Sequence, residues 1–210
     1  MFLNLNVYIM YMYALERLMP SKTRIALLRY LYSIKGETNA TEIMEKLSIP
    51  KTNAWEELKN LEAAGVISSV RRGTGIYFRT KRVRSDPLKK LVMGDIYAQL
   101  AKISEIKGIS HVILYGSHLE TPDAKSDIDL LILGKPDLDA LNEKIRKLER
   151  EIGKEIDYIV MSAEEFKKKD APFLRTLLKR YRLLWGDKDE FAGIAEKRID
   201  KASKPGKRRH

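Results

Sequence analysis

The chain contains no cysteine, which excludes disulfides, thiolate metal sites and a cysteine nucleophile and fits a reducing, cytoplasmic setting. Histidine is almost as scarce, and His111, His118 and His210 are too scattered for a zinc site. Long apolar runs are also missing. The stretch from Met1 to Leu15 is largely apolar, but it is interrupted by Asn4 and Asn6 and lacks a basic leader, so neither a signal peptide nor a membrane anchor is expected. Residues 1–20 read as an amino-terminal extension. It is either an extra helix packing on a partner subunit or a segment ahead of an internal start at Met10, Met12 or Met19. No internal repeat is visible.

A hydrophobic content of 44% excludes wholesale disorder, and 210 residues leave room for two small domains. The net charge of +11 is unevenly spread: +4 over residues 21–80, +4 over 81–109, −1 over 110–187 and +4 over 188–210. Basic flanks around a near-neutral centre suggest a nucleic-acid partner for the flanks.

From Ser21 to Thr80 the pattern predicts three helices and a hairpin. Ser21 is placed to cap a helix carrying Ile25, Leu28, Leu31 and Tyr32 on one face. Asn39 and Glu42 have the spacing of a capping pair ahead of Ile43, Met44 and Leu47. A third helix puts Ala54, Leu58 and Leu61 inward, and Gly65 stands just past its end. Val66–Arg72 and Ile76–Thr80 then read as strands joined by Gly73-Thr74-Gly75. The exposed side of the third helix would carry Lys51, Thr52, Asn53, Glu56 and Lys59, and the hairpin tip Arg71 and Arg72. This order resembles the winged helix-turn-helix of prokaryotic MarR- and ArsR-type regulators. The resemblance implies that Lys51, Thr52, Asn53 and Lys59 face a major groove of double-stranded DNA, with Arg71 and Arg72 on phosphates beside it. Trp55 reads as a packing residue at the core edge.

Lys81, Arg82 and Arg84 make a basic hinge, and Asp86-Pro87 reads as a helix start. Leu88, Val92, Ile96, Leu100 and Ile103 mark a connecting helix ending near Gly108. The strongest chemical signal follows. An apolar run, His111 to Tyr115, leads into Gly116-Ser117, and ten residues after Ser117 come Asp127 and Asp129, running into Leu130-Leu131-Ile132-Leu133. On a strand, residues two apart share a face, so Asp127 and Asp129 would present carboxylates about 7 Å apart. Two such carboxylates repel unless a cation lies between them, and Mg²⁺, which takes oxygen ligands together with substrate phosphates, suits the site. Gly116 lets the backbone approach a ligand, and the turn amides with the Ser117 hydroxyl can donate to phosphate oxygens. Further on, Asp137 starts a helix striped with Leu138, Leu141, Ile145, Leu148 and Ile152 that Gly153 ends. Asp157 lies in an alternating strand, Ser162 and Glu165 form a capping box, and Phe173, Leu174, Leu177, Leu178 and Tyr181 suggest a last helix before a strand at Leu183–Trp185.

The stretch from Leu114 to Leu133 resembles the nucleotidyltransferase superfamily that includes DNA polymerase beta, in its minimal prokaryotic form. The fold expected is therefore α+β in two domains: a winged helix-turn-helix over 21–80 and, after a basic linker and connecting helix over 81–109, a nucleotidyltransferase domain over 110–187. The latter is expected to have a small mixed sheet flanked by helices. Residues 188–210 read as a basic tail, expected to be disordered. The resemblance implies transfer of a nucleoside monophosphate from a nucleoside triphosphate to a hydroxyl acceptor, with two Mg²⁺ ions about 4 Å apart held by Asp127, Asp129 and Asp157. It also implies that Asp157 assists the acceptor hydroxyl and that Gly116 and Ser117 grip the phosphates. Acceptors in related enzymes are proteins, antibiotics or RNA ends, and a homodimer is expected of a reader of symmetric sites. The family's usual arginine after Gly-Ser is absent, with Glu120 in that stretch. This keeps an alternative open: a DNA-binding transcriptional regulator whose carboxyl-terminal domain senses nucleotide or has lost its chemistry.

Overall fold

The structure is a computed structural model, and it describes residues 14–34, 36–81, 87–119, 127–168 and 172–203. The basic hinge at 82–86, Glu120, residues 1–13 and residues 204–210 lie outside the described residues. The described residues begin with a short helix, α1 (Ala14–Leu18), whose Leu15 is fully buried in the chain's own core.

Next come α2 (Lys22–Ser33), the two-residue strand β1 (Thr38–Asn39), α3 (Ala40–Leu47), α4 (Lys51–Ala63) and the strands β2 (Ile67–Arg72) and β3 (Gly75–Thr80). The helix starts follow the sequence. The Ser21 side chain accepts from the Arg24 amide, and that of Asn39 from the Glu42 amide. The Asn39–Glu42 box closes on one side only, because the Glu42 carboxylate accepts instead from Thr38 and Tyr30. Ala54, Leu58 and Leu61 of α4 are buried as their spacing requires. Trp55 stands edge-on to Phe78 at the core margin, with ring centres 5.8 Å apart. In the hairpin Gly75 pairs with Arg72, so the turn is the two residues Gly73-Thr74, and Gly73 has φ +59°. Too short to leave a sequence pattern, β1 adds a third strand by pairing Thr38 with Phe78.

The connecting helix α5 (Pro87–Ala101) passes into a 3₁₀ turn, Lys102–Glu105, and delivers the chain to a four-stranded sheet. That sheet contains β4 (Ile109–Tyr115), β5 (Ile128–Gly134), β6 (Ile156–Met161) and β7 (Arg182–Trp185) in the order β6-β5-β4-β7. It is mixed: β5 and β6 run parallel, whereas β4 is antiparallel to both β5 and β7. The right partner for a parallel pair is a crossover helix, and α6 (Leu138–Ile152) supplies it, capped by Asp137 and ended at Gly153 with φ +76°. Leu141, Ile145, Leu148 and Ile152 of its stripe are buried, but Leu138, expected among them, is 55% exposed, because it sits in the first turn ahead of the sheet contact. Two short helices, α7 (Ala163–Lys168) and α8 (Pro172–Lys179), follow, the first entered through the full Ser162–Glu165 capping box.

Residues 188–210 were expected to be a disordered tail. Instead, Lys188–Ser203 forms a helix, α9, started by the Asp187 carboxylate on the Glu190 amide. Phe191, Ile194 and Ala195 are buried beneath it, Phe191 against Phe166, His111 and Tyr181. The high charge of the segment hid this apolar spacing, and a helix with one buried stripe tolerates a charged outer face.

Two apolar clusters lie on opposite faces of the sheet. Ile113, Leu131, Leu133 and Met161 face α7, α8 and α9. Val112, Leu114, Leu130 and Ile132 belong to a larger cluster that also contains Leu28, Ile43, Leu58 and Ile67, so one core runs through both halves of the chain. A buried ion pair crosses the same junction: Arg29 of α2 donates to Asp95 of α5 at 2.6 Å, with side chains 6% and 0% exposed.

Candidate active site

Strand pairing decides which acids meet. In the parallel ladder Asp129 of β5 is the direct Cα partner of Asp157 of β6, and on the other side Asp129 faces Tyr115 of β4. Asp129, Leu131 and Leu133 share one face of β5, as Asp157, Ile159 and Met161 do on β6. Both acids therefore rise from the same face, at the strand ends, beyond the apolar cluster that the rest of that face covers. Asp127 is half-buried and immediately precedes β5, where the Ile128 amide donates to the Glu155 carbonyl at 3.0 Å and ties the starts of β5 and β6 together.

The electrostatics follow from this gathering. Burial, reinforced by the negative charges of Asp157 and Asp127, raises the Asp129 carboxyl above the ordinary carboxylate range. The same surroundings raise the Tyr115 phenol: burial first, then Asp129 and Asp157. Among the described residues no three acidic or histidine side chains are already closed into a coordination shell. An all-carboxylate set gathered around the raised Asp129 carboxyl nevertheless matches the oxygen-donor preference of a hard divalent cation such as Mg²⁺.

The glycine turn presses on this acid. Gly116 follows β4 with φ +80°, and a Cβ there would overlap the Asp129 carboxylate, so only glycine lets the turn lie against it. Ser117 opens a 3₁₀ turn, Ser117–Leu119, and both Gly116 and Ser117 are exposed to solvent. One further residue was not legible from sequence. Arg180, just past α8, donates to the Leu119 carbonyl at 3.2 Å and brings a guanidinium to the turn that lacks the arginine usual after Gly-Ser. It is 61 residues from Leu119, and no local spacing announces it.

The residues expected to read nucleic acid lie elsewhere. Lys51, Thr52, Asn53, Glu56 and Lys59 are exposed on α4, and Arg71 and Arg72 are exposed at the hairpin. Arg72 is engaged by Glu37 at 2.8 Å, and its guanidinium also lies over the Tyr77 ring. Glu57 turns away from the exposed face and bonds Arg24 at 2.7 Å. His111 is buried, with Nε2 3.2 Å from the Asp187 carbonyl, and serves the packing of α9.

A chain of the toxin–antitoxin complex MntA-HepT is similar at 20% identity over 51% of this chain and 84% of that one, with a TM-score of 0.37. A chain of a mutant of that complex is similar at 19% identity over 49% and 80%, TM-score 0.38. A protein from Shewanella oneidensis is similar at 18% identity over 56% and 87%, TM-score 0.36. No curated protein matches the chain. Among the described residues no helix is long and apolar enough to cross a membrane. Residues 96–184, which run from within α5 into β7 and include the Gly-Ser turn and all three acids, match the family described as "Nucleotidyltransferase domain".

Proposed function

We propose that the chain is a Mg²⁺-dependent nucleotidyltransferase tethered to a nucleic-acid-binding winged helix. The observation that carries the reading is the register of Asp129 on Asp157, with the Gly116 turn pressed against the same carboxylate. Asp127, Asp129 and Asp157 would hold two divalent cations, whose charge would offset that of the triphosphate and of the attacking hydroxyl. The amides of the Gly116-Ser117 turn and the Ser117 hydroxyl bind the departing phosphates, and Arg180 adds the cation that the turn itself lacks. The acceptor oxygen forms a bond to the α-phosphorus as the bond to pyrophosphate breaks, and Asp157 receives the acceptor's proton. The protein acts mainly by positioning and charge neutralisation.

The amino-terminal half supports the tether. Helices α2, α3 and α4 and the antiparallel hairpin leave Lys51, Thr52, Asn53 and Lys59 exposed on α4 and Arg71 exposed at the hairpin, a basic face suited to double-stranded DNA. Incubation with each α-labelled nucleoside triphosphate, Mg²⁺ and a lysate tests the transfer. Label should pass to an acceptor, and Asp129→Ala should lower the rate by on the order of 10²- to 10³-fold. An Asp129→Ala variant as fast as the wild type removes the assignment.

A further inference from the structure

A cleft lies at the same end of the sheet as the acids. It has a volume of about 240 Å³ and is lined by Lys46 of α3, by Arg146, Glu149 and Arg150 of α6, and by Lys154 and Glu155 at the entry to β6. Four cations and two carboxylates line it, and both carboxylates are already committed. Glu155 accepts from Lys46 at 3.2 Å, and Glu149 accepts the Ile156 amide at 3.0 Å. Arg146 and Arg150 stand one helical turn apart, are exposed, and form no ion pair among the described residues. The carboxyl-terminal end of α6 carries roughly half a negative charge, which opposes an anion, but the surplus of two full positive charges outweighs it. No aromatic ring lines the cleft, so it offers charge and planar guanidinium forks, the recognition chemistry of phosphate.

Its position adds the second half of the argument. Glu155, in the cleft wall, is two residues before Asp157, a separation of about 7 Å along a strand. The Glu155 carbonyl also holds the Ile128 amide, next to Asp127. At the cleft floor Gly153 packs closely on its neighbours: a Cβ there would meet Tyr30 of α2 at 2.7 Å and Leu47 of α3 at 2.8 Å. We infer that this cleft is a phosphate subsite for a nucleic-acid strand that carries the acceptor hydroxyl. The inference rests on the transferase reading for the word acceptor, and on the cleft alone for the binding.

The test is fluorescence anisotropy of the full chain with a short 5′-labelled single-stranded oligoribonucleotide, with inorganic phosphate and a nucleoside triphosphate as competitors. Arg146→Gln with Arg150→Gln should weaken strand binding at least tenfold and reduce the log–log salt slope by about 1.4, two contacts at roughly 0.7 each. Inorganic phosphate should compete with the strand in the wild type. The α4 variant Lys51→Gln with Lys59→Gln should leave strand affinity within about twofold, which separates this cleft from the duplex-facing helix. Unchanged affinity and slope in the Arg146/Arg150 variant overturn the proposal, as does a strand displaced by the triphosphate but not by inorganic phosphate. Because binding is read without turnover, failure of the transferase assay and failure of this subsite are separate results.

Discussion

Replacing Asp95 by alanine isolates the junction between the two halves. Asp95 is fully buried, and its partner Arg29 is 6% exposed, with 2.6 Å between them. Removing the carboxylate leaves a guanidinium enclosed without its counter-charge, since the remaining acid, Glu16, is 3.6 Å away and about half exposed. Such a loss costs about 3–5 kcal/mol, a large share of the 5–15 kcal/mol typical of a folded domain. Replacing both partners with apolar residues, Arg29→Met with Asp95→Leu, should return stability to within about 1 kcal/mol of the wild type or above it. Urea unfolding of the wild type, both single variants and the double variant, followed by circular dichroism, gives the coupling directly. The pH dependence has a definite sign. Burial raises the Asp95 carboxyl above its ordinary range despite the opposing pull of Arg29, so the folded state holds this proton more tightly than the unfolded chain. The stability gained from it is complete below the ordinary aspartate value of about 3.9 and is lost as pH rises through the raised value. An Asp95→Ala variant within 1 kcal/mol of the wild type, or a double variant no better than Asp95→Ala, refutes the reasoning.

Gly116→Ala should cost about 1–3 kcal/mol through its left-handed backbone and displace the Asp129 carboxylate. Transfer should therefore fall more than thermal stability does, which rates measured alongside melting curves will show. Gly153→Ala combines positive φ with overlap on Tyr30 and Leu47 and should cost roughly 2–4 kcal/mol, read from urea midpoints. Arg180→Gln should raise KM for the triphosphate about tenfold, the equivalent of about 1.4 kcal/mol, with kcat less affected; steady-state kinetics decide it.

Local chemistry made much of the fold legible. Ser21, Asn39, Asp137 and the Ser162–Glu165 pair cap helices because each supplies a side-chain acceptor to an amide a few residues away, and such signals lie wholly within the sequence window. The position of Asp157 on a strand was legible for the same reason, through Ile156, Tyr158 and Val160. Its register against Asp129 was not, because a ladder between segments 28 residues apart is fixed by how α6 packs. Arg29 and Asp95 are 66 residues apart, and Arg180 reaches Leu119 across 61; both contacts arise from tertiary packing alone. The helix at Lys188–Ser203 was masked by its charge, although Phe191 and Ile194 already stood at helical spacing.

The core that joins α2, α3 and the sheet has a geometric corollary. With Gly153 packed against Tyr30 and Leu47, the α4 surface and the Asp129–Asp157 pair are built on one continuous apolar core. Under the proposed function, a duplex docked on α4 would therefore lie at a set offset from those carboxylates. In that arrangement the molecule would work as a ruler.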